Sequence, residues 1–210
     1  MTALKEKLSD DEITPKNMAL VGRSAGAHLA LLYGYTRNNP LALSYGINVE
    51  NLIDISHIVA DVGITDATKP MDFFSEGMNW GYMIEESYEL LSSLIGMEVT
   101  EDDFADDFSH IPVGVMERLE AASPTFYVTP DTPPTLLRYA GKDYTVPAYQ
   151  GDRLKTALEA SNKWEGIDFN LFHFPNSGHE LDFKSTPVED SALYQTYWAK
   201  YNWYFDTYMD

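Results

Sequence analysis

The chain contains no cysteine. That excludes disulfide bridges, thiolate metal sites and a cysteine nucleophile, and leaves the fold to be held by its core. Positive charge is scarce: 14 Lys and Arg stand against 33 Asp and Glu, for a formal net charge of -19. A surface this acidic repels nucleic acid and anionic membranes, so neither is an expected partner. No run is long and apolar enough to span a bilayer. The stretch from Met1 to Leu8 carries Lys5, Glu6 and Lys7 and lacks the apolar centre of a secretion signal, so the chain as given reads as cytoplasmic. Internal repeats and low-complexity tracts are also missing. What the chain does hold is apolar material: 44% of its 210 residues are hydrophobic and 13% aromatic. That supports one sizeable core, in a length too short for two ordinary domains.

The rest is arranged around residues 18–32. An apolar run, Met18-Ala19-Leu20-Val21, meets Gly22-Arg23-Ser24-Ala25-Gly26 and continues as a proline-free apolar stripe over 27–35. The run predicts a parallel strand buried on both faces, and the stripe a helix. Gly-x-Ser-x-Gly between a strand and a helix is a nucleophile elbow, in which the serine sits on a strained turn above the strand end. Gly22 and Gly26 are then expected to be required because a side chain at either would strike neighbouring backbone. The helix directs its free N–H groups at the place where an acyl-transfer oxyanion would form, which makes Ala25 the candidate oxyanion donor. The competing reading is a glycine-rich turn that binds nothing. The flanking strand and helix signals favour the elbow.

Residues 3–9 read as the end of a helix. A second strand is expected over 53–62, closed by Gly63, and a third over 135–140, leading into Gly141-Lys142-Asp143. The fourth, over 169–174, leads into Ser177-Gly178-His179. Helices are expected over 148–161 and 191–208, the latter an aromatic closing helix packed on the sheet. Residues 69–125 shift toward Met, aromatic and acidic residues and read as a helical insertion, with helices over 82–95 and 115–122. Its Glu101, Asp102, Asp103, Asp106 and Asp107 lack the alternating spacing and central glycine of a calcium loop, so they read as a solvated turn and no metal is expected.

Alternating strands and helices imply a mainly parallel sheet of about four strands, whose functional groups gather beyond the strands' carboxyl ends. Ser24, Asp143 and His179 each follow a strand there. Serine attacks an acyl carbon only if a base takes its proton, and histidine serves near neutral pH when a carboxylate fixes its tautomer. The order Ser, Asp, His suits an elbow serine. Rivals exist for each supporting role. His28 falls on the elbow helix and is expected to pack into the body of the fold. His57 and His173 lie within strands, and His110 within the insertion. Asp61 and Asp66 flank the second strand's end, with Asp66 the stronger alternative acid, but Asp143 stands one strand nearer His179.

On these residues the chain resembles the C-terminal part of an α/β-hydrolase of the carboxylesterase and acetyl-esterase type. Gly22-Arg23-Ser24-Ala25-Gly26-Ala27-His28-Leu29-Ala30 resembles that group's elbow. Ala122-Ser123-Pro124 and Pro133-Pro134-Thr135-Leu136-Leu137 resemble the approach to its acid strand. Gly141-Lys142-Asp143 with Val146-Pro147 resembles its acid loop, and Gly178-His179 its histidine loop. The resemblance implies a serine hydrolase that cleaves small-acyl carboxylic esters without cofactor or metal. Ser24 would be the nucleophile, His179 the base and then acid, and Asp143 its orienter, with residues 69–125 as a cap. The alternatives are a prolyl-oligopeptidase-type serine peptidase and a non-catalytic remnant. One departure is plain: nothing before Ser24 resembles the family's His-Gly-Gly-type oxyanion loop. The resemblance therefore implies a truncated or shortened relative whose elbow strand is a sheet edge open to self-association.

Overall fold

In a computed structural model of the chain, four short runs rich in apolar residues become β1 (Asn17–Arg23), β2 (Asp54–Asp61), β3 (Thr135–Ala140) and β4 (Phe169–Phe174). The structure describes residues 7–8, 15–37, 39–40, 53–69, 84–103, 111–181 and 187–209. The strands form one sheet in the order β1-β2-β3-β4, and every neighbouring pair is parallel. Parallel neighbours need crossovers, which put all four carboxyl ends on one edge of the sheet.

The α-helices that lie wholly among the described residues are α1 (Ala25–Thr36), α2 (Ile84–Ile95), α3 (Val113–Ala121), α4 (Tyr149–Ala160) and α5 (Ser191–Tyr208). They divide between the faces as the period-2 alternation of the strands requires. On β2, Ile58 meets α1 at Gly34, while His57 meets Phe205 of α5 at 4.5 Å between ring centroids. On β3, Tyr139 packs against Gly151 of α4, and Arg138 lies 4.4 Å over the Tyr197 ring of α5. Ile58, Val59, Leu136, Leu137, Tyr139 and Phe169 are fully buried between these layers. Burying each such side chain contributes about 1.5–3 kcal/mol.

Three elements keep the bounds expected from sequence, namely β3, β4 and α5, and the other described ones differ at the ends. The expected burial of residues 18–21 on both faces does not hold. Met18, Ala19 and Leu20 are half-buried and Val21 is 56% exposed, because among the described residues β1 is the sheet edge and pairs with β2 alone. Within residues 69–125, α2 and α3 pack on each other, and Leu91, Ile95, Val99, Val115 and Leu119 join the core. Asp103 accepts from Thr100 N and Oγ1 in a short turn. The helix expected over 3–9 lies outside the described residues apart from 7–8, as do residues 82–83 of the expected insertion helix and Asp106, Asp107 and His110. Among the described residues no helix is long and apolar enough to cross a membrane.

Candidate active site

Ser24 stands between β1 and α1 with φ 53° and ψ -123°, a left-handed backbone that a non-glycine residue holds only under constraint. The constraint is visible on both sides. Ser24 N donates to Asp61 O at 2.8 Å, and Ser24 O accepts from His28 N at 3.0 Å. Gly22 is required here, since a Cβ on it would lie 2.2 Å from Gly26 O. Gly26 is not, contrary to the expectation from the motif: a Cβ there meets open space. The crowding is Gly22 against the Gly26 backbone, so only one of the two side chains would collide. Ala25 and Gly26 are exposed, and the first-turn N–H groups of α1 have no partner within the helix.

The β3 and β4 loops converge on the same point. Gly141 lets them touch, because a Cβ on it would lie 2.7 Å from Pro175 O. Lys142 N donates to Ser177 O at 2.9 Å and draws the two loops together. Asp143 Oδ1 then accepts from Thr145 N at 2.8 Å and Val146 N at 2.9 Å, so the carboxylate is aimed by its own turn. Its Oδ2 lies 2.8 Å from His179 Nδ1, and His179 Nε2 lies 3.1 Å from Ser24 Oγ. The Asp143 side chain is wholly buried and that of His179 is 21% exposed. With the Nδ1 proton directed at the carboxylate, Nε2 is left free to accept from the serine hydroxyl.

The rivals are engaged elsewhere. His28 is buried, with Nδ1 2.9 Å from Ile64 O, and burial lowers its pKa. His57 is inside the sheet under α5, where burial pushes its pKa down to about 4. His173 is exposed and pairs with Asp152 at 3.0 Å. Asp61 spends its carboxylate on Arg138 and on the Tyr197 hydroxyl. Asp66 accepts from Thr68 N and Oγ1 and stands 3.7 Å from Arg153.

Several supporting residues were not singled out from sequence. Buried Asp190 accepts from Asn176 N, Asn176 Nδ2 and Ser177 Oγ and pins the loop that carries His179. Burial by itself would raise the Asp190 pKa, but those hydrogen bonds hold it below the usual carboxylate value. Buried Gln150 grips the loop after β2, accepting from Thr65 N and Asp66 N and donating to Asp66 O. Nothing in the local sequence points to either one. Arg23 and Glu180 form an ion pair at 2.7 Å; their opposite charges beside Ser24 and His179 were the available signal. Among the described residues, no group of three or more His, Asp or Glu side chains could hold a metal ion.

A parallel sheet with a strained serine turn at one carboxyl end, and histidine and carboxylate loops at two others, defines an α/β-hydrolase-type fold. The BD-FAE family model matches residues 4–158, and the chain belongs to that family. The chain is 25% identical over 183 residues to esterase LipQ of Mycobacterium tuberculosis, covering 87% of this chain and 37% of LipQ. Carboxylesterase Cest-2923 from Lactobacillus plantarum superposes with a TM-score of 0.60 at 14% identity, over 96% of this chain and 64% of that one. An acylaminoacyl peptidase from Pyrococcus horikoshii also gives 0.60, at 13% identity, over 98% of this chain and 26% of that one. The chain thus spans well under half of LipQ and less than two thirds of the esterase.

Proposed function

We propose that this chain carries the reacting groups of a carboxylic ester hydrolase acting on small-acyl esters. The observation that supports this reading is the hydrogen-bonded chain Ser24 Oγ, His179 Nε2, His179 Nδ1, Asp143 Oδ2. Ser24 Oγ attacks the acyl carbon as His179 Nε2 takes its proton. The carbonyl oxygen becomes an oxyanion facing the Ala25 N–H, and Asp143 stabilises the imidazolium. Collapse of this intermediate breaks the bond to the alcohol oxygen, which leaves with the proton from His179. A water, deprotonated by the same imidazole, then releases the acid and restores Ser24. These steps call on no cofactor or metal. The esterase named among the relatives supports an ester over an amide.

Residues 69–125 lie between two strands that end at the site, and we assign them the part of a cap. The β1 edge is the surface we assign to self-association.

A fluorophosphonate probe tests for an activated serine, and comparing p-nitrophenyl acetate with a peptide amide separates esterase from peptidase. Labelling of the native chain that is lost in Ser24→Ala is expected, together with faster turnover of the ester. An unlabelled, correctly folded chain would make it a non-catalytic member of the fold.

A further inference from the structure

Two residues beside the reacting groups are tied together across 157 positions of sequence. Arg23 Nη1 donates to Glu180 O at 2.8 Å, and Nη2 to the Glu180 carboxylate at 2.7 Å. Arg23 immediately precedes Ser24, and Glu180 immediately follows His179. Both side chains are substantially exposed, at 43% and 66%, so this pair adds little to the stability of the whole fold. Its geometry is more specific than that of an ordinary surface pair. One guanidinium fork holds a main-chain carbonyl and a carboxylate of the same residue, a double contact that fixes direction as well as distance.

The backbone on either side is strained. Ser24 has φ 53°, and Leu181, next after Glu180, has φ 44° and is buried. Non-glycine residues persist in that region only where their surroundings over-determine them. Hydrogen bonds to Asp61 O and from His28 N constrain the serine side. On the histidine side, the Asp190 anchor reaches no further than Ser177. Among the described residues beyond Ser177, the side-chain hydrogen bonds that join the loop to the elbow are the reacting pair itself and the Arg23 tether.

We propose that Arg23 is a positioning residue that locks the histidine loop to the elbow and sets the distance from His179 Nε2 to Ser24 Oγ; the catalytic part of this inference rests on the hydrolase reading above. The tether acts after substrate is bound, on the alignment of base and nucleophile. Loss of alignment lowers kcat and leaves KM nearly unchanged.

The test is made on the full chain with p-nitrophenyl acetate and with amide hydrogen exchange over residues 177–181. Arg23→Ala is expected to lose roughly ten- to a hundred-fold in kcat, with KM within about twofold. Exchange over 177–181 should accelerate while the remainder of the chain and the unfolding midpoint stay as they were. Arg23→Lys should recover part of kcat, since an ammonium reaches one acceptor but cannot span both. Glu180→Ala should cost less than Arg23→Ala, because the carbonyl acceptor survives. Native kcat in Arg23→Ala, or accelerated exchange spread over the whole chain, would overturn the proposal. A native chain that neither labels nor hydrolyses would sink the hydrolase reading instead. Exchange over 177–181 would then still decide the tether, with unchanged protection in Arg23→Ala counting against it.

Discussion

Asp143 and Asp66 are both carboxylates just past a strand end, and their surroundings separate them. Asp143 is aimed by two main-chain N–H groups and bonded to His179, whereas Asp66 closes its own turn and faces Arg153. In the proposed mechanism Asp143→Asn presents an amide to Nδ1 and favours the wrong imidazole tautomer. Its kcat should fall about a thousand- to ten-thousand-fold. Asp66→Asn removes no group that touches the reacting atoms, and its kcat should stay within about tenfold of native. Steady-state ester hydrolysis on both variants checks the pair, and the reverse ranking would move the acid to Asp66.

At the scale of the element, the strand-to-helix turn assigns unequal tasks to its two glycines. Gly22→Ala forces a methyl against the Gly26 backbone, so the turn must open. A cost of about 1–3 kcal/mol is expected from such overpacking, with loss of the Ser24 geometry. Gly26→Ala places its methyl in open space at the first turn of α1. It should be neutral or stabilising by up to about 1 kcal/mol, because alanine surrenders less backbone entropy on entering a helix. Urea unfolding of the two variants measures both. The α5 helix supplies a second case, since His57 is buried against its Tyr204 and Phe205 and its Nε2 has no hydrogen-bond partner among the described residues. Burial lowers the folded-state pKa of His57 from 6.5 to about 4, so the unfolded chain binds the proton more readily. Stability is therefore fully present above about pH 6.5 and falls as pH drops toward about 4, by on the order of 1–3 kcal/mol. The difference in unfolding free energy between native chain and His57→Gln should shrink over that window. A constant difference would show that His57 does not titrate there.

For the whole molecule, two features act on association in opposite directions. Among the described residues the sheet ends at β1, which carries the exposed Val21, and an edge strand left unpaired is a template on which other chains can pair. The net charge of -19 keeps copies apart. Salt screens the repulsion and leaves the edge as it is, so self-association should increase as ionic strength rises from about 0.01 to about 0.5 M. Light scattering across that range checks it, and Val21→Lys should suppress the increase by placing a charge on the edge. A monodisperse chain at high salt would mean that the β1 edge is protected.

The sequence by itself determined the element types and order, because runs such as Thr135–Ala140, buried along its whole length, and the aromatic Phe169–Phe174 carry unmixed strand signals. It also placed Ser24, Asp143 and His179 after strand ends, since parallel topology sends every such loop to one side of the sheet. Contacts set by distant partners were decided by the tertiary structure alone. Only the packed sheet shows that Asp61 is taken up by Arg138 and Tyr197, and that Asp190 anchors the histidine loop from the start of α5. The same holds for Gly26, which the motif marks as required, whereas for residues 18–21 the apolar character reads as full burial but the family resemblance already implied a sheet edge. Residue type reports what a side chain can tolerate, whereas a collision or an exposed edge depends on which backbone stands opposite, and that is settled when the strands pair and the loops meet.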